Sequence, residues 1–146
     1  MRLLFDTSTL IAALLRPHDV HHLAHPWLDQ VLAGADTGVI CAHSLAELYS
    51  TLTRMPLQPK ITATDALDLI RENVLGSFEI VGLSPADYMA ILEDLHQRNL
   101  VGGVTYDALI MYATIKAGVD KVITVNGRDF LRLFPQFSGE VIVLRK

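Results

Sequence analysis

Strand-like and helix-like segments take turns along almost the whole chain, and this alternation restricts the fold more than any other feature. "LLF" (Leu3 to Phe5) is apolar without alternating, the pattern of a strand buried on both faces. A helix pattern follows from Thr7 to Leu15, with Thr7 or Ser8 as N-cap and Pro17 as its stop. Another covers about His21 to Leu32 and closes at Gly34. "TGVICA" supplies a second strand, Gly38 to Cys41, and "HSLAELYSTLTRM" a helix from about Ser44 to Met55. "TATDALDLIREN" is helical from about Thr62 to Asn73, capped by Thr62 or Thr64. "FEIVGL" is a third strand, and "SPADYMAILEDLHQRN" opens with a Ser cap and Pro at the first helical position. After "VGG" comes a helix from Tyr106 to Ala117, then the strand "KVITV", a short helical turn "GRDFLRLFP" and a last strand "EVIVL".

This order predicts an α/β fold. A central parallel sheet of about five strands carries helices on both faces, as a three-layer sandwich. Ligands in such sheets bind outside the carboxyl ends of the strands. Length suits one domain over residues 1–146, without linker or repeat. Hydrophobic residues make up 51% of the chain, enough for a core without staples. A mean hydropathy of +0.34 fits a well-buried sheet, an oligomer contact, or both. The single cysteine, Cys41, excludes an internal disulfide and fits a reducing, cytoplasmic setting. There is neither a secretion-signal pattern nor an apolar run of membrane-spanning length.

Acids cluster at one structural address. Asp6 ends the first strand. Glu47 is expected in the first turn of the helix after the second strand. Asp107 opens the helix after "VGGVTY", and Asn126 and Asp129 follow the fourth strand. In a parallel sheet these positions converge at one edge. The helix dipole alone accounts for Glu47 and Asp107 taken singly. It accounts less well for Asp6, which follows a buried strand. Carboxylates brought together repel unless something offsets them, and oxygen ligands select hard ions such as Mg²⁺ or Mn²⁺. The net charge of −4 argues against a passive nucleic-acid binder. Setting four acids aside at a metal site, however, leaves 12 acidic residues against 12 basic ones.

"LLFDTSTLIAAL", "SLAELYSTLTR", "TYDALIMYATIKAG" and "VITVNGRDF", in this order, resemble the PIN-domain ribonucleases. The likeness is greatest to the VapC-like toxins of bacterial type II toxin–antitoxin pairs. "HHLAHPWL" is similar to a histidine–alanine–tryptophan helix of that group. The resemblance implies a PIN-like fold and metal-dependent hydrolysis of RNA phosphodiester bonds. It assigns Asp6, Glu47, Asp107 and Asp129 as catalytic, metal-holding acids, with Asn126 and Asp129 both open for the fourth position. Glu47 either ligates a second ion or orients the water. Thr124 matches a supporting hydroxyl, and Thr7, Ser8 and Asn126 are candidates for similar support. The likeness further implies an RNA substrate, a cognate antitoxin protein, a homodimer and a higher toxin–antitoxin assembly, with no membrane. A catalytically inactive PIN-like RNA-binding or regulatory domain is the alternative.

Arg54 and Arg128, near the expected edge, are the better candidates for phosphate contact, ahead of Arg16 and Arg98. Tyr106 and Tyr49 are candidates for base stacking. His43, four residues before Glu47, has a spacing that admits a place towards the cleft, but a cap-region role is the preferred reading. His18, His21, His22 and His25 share helical spacing that admits zinc, but a polar helix start is the preferred reading.

Overall fold

The computed structural model describes the backbone of residues 1–146 and every side chain except those of Arg128 and Asp129. The elements run β1 (Arg2–Phe5), α1 (Thr7–Leu14), α2 (His21–Leu32), β2 (Thr37–Cys41), α3 (Ala42–Arg54) and α4 (Ala63–Asn73). They continue β3 (Phe78–Val81), α5 (Pro85–Gln97), α6 (Val104–Lys116), β4 (Lys121–Thr124), α7 (Gly127–Leu133) and β5 (Glu140–Val143).

The strands form one five-stranded sheet in the order β3-β2-β1-β4-β5, and each neighbouring pair is parallel. β1 is central, with Leu4 in register with Val39 on one side and Val122 on the other. Leu3, Leu4 and Phe5 are fully buried, as a strand without alternation requires. Odd and even residues of β1 enter different cores. Leu3 and Phe5 pack with Leu10, Leu28, Leu48 and Ile70 from α1–α4. Leu4 packs with Ile91, Leu95, Met111 and Phe130 from α5–α7. The result is the expected three layers. Among the described residues no helix is long and apolar enough to cross a membrane.

Several local signals act as read. Thr62 with Asp65, and Ser84 with Asp87, form reciprocal capping boxes, and Pro85 sits in the first turn of α5. Three starts differ from expectation. The cap of α1 is Asp6 rather than Thr7 or Ser8, because β1 passes into the helix without a loop and the Asp6 carboxylate takes the Thr9 N–H. α3 likewise begins at Ala42, directly after β2, so Glu47 lies beyond the first turn. α6 begins at Val104, capped by Gly103 without a side-chain bond. The helix thus starts earlier than expected, and Asp107 still lies in its first turn.

Two histidines of α2, His21 and His25, have a structural use. His21 Nδ1 is 2.8 Å from the Ala12 carbonyl oxygen and His25 Nδ1 is 3.1 Å from that of Ala13. A carbonyl only accepts, so both nitrogens donate. They satisfy carbonyls at the end of α1 that have no partner within their own helix. The two rings stack with centroids 4.8 Å apart.

Candidate active site

The strand order reverses between β1 and β4, the place where open α/β sheets leave a crevice. Asp6 follows β1 and Thr124 ends β4, so both reach that crevice from neighbouring strands. Asp6 is 5% exposed. Its Oδ1 accepts the Thr9 N–H at 2.8 Å, and its Oδ2 accepts the Thr124 hydroxyl at 2.5 Å. Thr124 Oγ1 in turn accepts the Asn126 N–H at 2.9 Å, tying the loop before α7 to Asp6. Burial raises the Asp6 carboxyl above its ordinary value and outweighs the lowering by these donors.

Asp6, Thr7, Ser8, Glu47, Asp107 and Asn126 line one cleft of about 60 Å³, with Ile110 and Phe130 as its apolar wall. Residues far apart in sequence thus meet at one sheet edge. Thr124 stands behind Asp6. The side chain of Asp129, the fourth expected acid, lies outside the described residues, as does that of Arg128. Asn126 reaches the cleft.

Glu47 enters from α3. Its Oε1 is buried and, among the described residues, has no hydrogen-bond donor, and the buried Thr7 hydroxyl has no partner there either. His43 Nε2 stands 3.5 Å from Glu47 Oε1, within ion-pair range but without hydrogen-bond geometry. Among the described residues no three acid, histidine or cysteine side chains are close enough to enclose an ion by themselves. The donor set nevertheless fits a hard divalent cation. Three carboxylates share one cleft, and one of their oxygens is buried without a donor. Mg²⁺ is commonly held by one or two carboxylates and keeps several waters, so a closed protein cage is not required.

A second groove, of about 260 Å³, adjoins the first through Glu47 and is lined by His43, Ala46, Ser50, Thr51, Arg54 and Tyr106. His43, the second residue of α3, thus lines the groove beside the cleft, the placement that its position one helical turn before Glu47 admitted. Ile110, one turn after Asp107, was legible in the same way. Tyr49 faces away, beside Thr53, Lys60 and Ile61, since a residue two places from Glu47 occupies another side of the helix. Arg98 pairs with Asp94 and covers the Phe134 ring, and Arg16 is an exposed residue of the α1–α2 connection.

The PIN domain family model matches residues 3–133. Ribonuclease VapC27 of Mycobacterium tuberculosis is 32% identical over 108 residues, which span 74% of this chain and 73% of the relative. Ribonuclease VapC40 of the same species is 32% identical over 120 residues, 82% of each chain. Among solved structures, M. tuberculosis VapC20, described as a sarcin-ricin loop cleaving toxin, superposes with a TM-score of 0.63 at 15% identity, covering 82% of this chain and 86% of that one. VapBC2 of Rickettsia felis, bound to a DNA fragment from its promoter, gives a TM-score of 0.60 at 22% identity, covering 90% and 92%. At these identities the two structures bear on the fold alone.

Proposed function

The chain belongs to the PIN domain family, as a VapC-like endoribonuclease toxin of a toxin–antitoxin system, and from that membership we propose that it hydrolyses RNA at the Asp6–Glu47–Asp107 cleft with Mg²⁺ or Mn²⁺. The observation that carries this reading is the single cleft shared by three carboxylates, one of them with a buried oxygen that has no donor.

In this reading Asp6 and Asp107 hold the ion, with Asp129 or Asn126 as the fourth ligand position. When bound, the divalent ion supplies charge stabilisation at the scissile phosphate and lowers the pKa of water at the site. Thr124 and the Thr9 amide keep the Asp6 carboxylate in one orientation, so the ligand is fixed by a strand end and a helix cap rather than by a loop. Glu47 Oε1 accepts a hydrogen bond from the attacking water and orients it; ligation of a second ion is the other role open to it. Thr7, Ser8 and Asn126 line the same wall and serve as polar support. Arg54, Arg128 and Tyr106 are assigned to the RNA. Single-stranded or loop regions suit such a cleft, because an unstacked backbone can enter it.

The test is RNA cleavage with Mg²⁺ or Mn²⁺, with and without chelator, comparing wild type and Asp6→Asn. Cleavage should need the cation and the carboxylate. Turnover that survives both treatments overturns the reading, and cation binding without turnover on any RNA favours the inactive, regulatory alternative.

The remaining proposals concern assembly. The chain acts as one nuclease domain over 1–146, in the cytoplasm, silenced by an antitoxin protein. The antitoxin follows from the toxin–antitoxin reading of the family, and VapBC2 of Rickettsia felis and FitAcB of Neisseria gonorrhoeae share the fold. A homodimer and a higher toxin–antitoxin assembly complete the reading.

A further inference from the structure

We infer that the groove beside the cleft is a nucleotide subsite, in which Tyr106 stacks on one base of single-stranded RNA while Arg54 holds a neighbouring phosphate. The inference rests on the RNA-cleavage reading, because it uses Glu47 as the wall common to the two spaces.

Tyr106 is a large ring left 52% exposed at the head of α6, one residue before Asp107. It is not loose. The His43 ring lies parallel to it, with centroids 5.2 Å apart and planes 4° from each other. His43 also stands beside Glu47. The aromatic surface is therefore held in place by the same helix that presents a cleft acid. A ring already fixed by a neighbour loses little freedom when a base arrives. Stacking accepts any base, because every base offers a π-face.

Arg54 closes the far end of the groove from the last turn of α3. Its Nε donates to the Ser50 carbonyl at 3.1 Å. That bond orients the guanidinium, and its terminal nitrogens remain for a ligand. Among the described residues the salt bridges do not include Arg54. An oriented guanidinium without a carboxylate partner, in a groove that opens onto an acidic cleft, suits a phosphodiester leaving that cleft. Ser50 and Thr51 add hydroxyls between ring and cation. The arrangement of aromatic face, polar floor and cation follows the general design of single-strand binding surfaces.

The test uses a short single-stranded RNA carrying one 2-aminopurine and a fluorescent end label. Anisotropy binding is measured in chelator across a range of salt, and steady-state cleavage in Mg²⁺ or Mn²⁺. Wild type, Tyr106→Phe, Tyr106→Leu and Arg54→Gln are compared after thermal melts show them folded. Tyr106→Leu should bind about 5- to 100-fold more weakly and lose 2-aminopurine quenching, with an unchanged salt slope. Tyr106→Phe should restore both. Arg54→Gln should keep the quenching but lower the slope of log K against log salt by about 0.7. In cleavage, both losses should appear mainly in KM. If Tyr106→Leu and Arg54→Gln bind and cut as wild type does, or wild type shows no saturable binding at any salt, the subsite is overturned. If wild type binds with these signatures but cuts no RNA with either cation, the hydrolysis reading falls and the subsite stands.

Discussion

Thr124 donates its hydroxyl to Asp6 across a sequence separation of 118 residues, and this bond joins two adjacent strand ends where the sheet order reverses. Thr124 therefore determines how a buried carboxylate faces the cleft. Thr124→Val should leave Asp6 Oδ2 without a donor. The Asn126 N–H loses its acceptor as well, and each buried polar group left unpaired costs about 1–3 kcal/mol. Thermal denaturation and Mg²⁺ titration calorimetry should show lower stability and weaker ion binding, with Thr124→Ser close to wild type. Unchanged ion affinity in Thr124→Val would remove the supporting role.

Asp6 itself should destabilise the ion-free protein at neutral pH. Its carboxyl is raised above 3.8, chiefly by burial, so the folded chain binds more protons than the unfolded one just above that value. Stability then falls as pH rises through the interval between the unfolded and folded values, and levels off above it. Asp6→Asn should flatten this slope in pH-dependent melts. At pH 7 without metal it should add about 1 kcal/mol, the scale of other function-for-stability exchanges. RNA cleavage should drop by about 100-fold or more. A less stable Asp6→Asn protein with an unchanged pH slope would contradict the argument.

Glu47→Gln should separate fold from function. Among the described residues Glu47 Oε1 has no hydrogen-bond donor, so replacing it breaks no hydrogen bond of that atom there. The melting temperature should stay within about 3 °C of wild type, equivalent to roughly 1 kcal/mol in a chain of this size. Cleavage should fall steeply at every Mg²⁺ or Mn²⁺ concentration. A variant that cuts normally would exclude Glu47 from the chemistry.

His21 and His25 of α2 should behave as donors to α1 rather than as metal ligands. His21→Ala leaves the Ala12 carbonyl without its 2.8 Å partner, at a cost of about 1 kcal/mol in denaturant unfolding. Zinc should not raise the melting temperature of wild type. A zinc-dependent rise that His21→Ala abolishes would restore the metal reading.

Gly127 begins α7 immediately after Asn126, and a Cβ there would collide with the Val143 side chain of β5. Gly127→Ala should destabilise by about 1–3 kcal/mol, as overpacking does, and disturb the cleft by shifting Asn126. Calorimetric melting checks the first effect and Mg²⁺ affinity the second.

Much of this was present in local pattern. An apolar run without alternation marked β1, since a strand covered on both faces has no polar side to show. Ser84–Pro85 and Thr62 placed helix starts because capping needs only neighbouring residues. Asp6 stood out as an acid where burial was expected, and strand–helix alternation alone brought Glu47 and Asp107 to its edge. Tertiary structure decided the rest. The strand order put β4 beside β1, and only that adjacency pairs Thr124 with Asp6. Loop-free entry into α1 and α3 moved the Asp6 cap and the depth of Glu47. The ring contact between His43 and Tyr106 joins two helices distant in sequence. Chain-local chemistry sets which element forms and where its caps fall. Which side chains share a cleft depends on packing between elements, and no short window of sequence contains that energy.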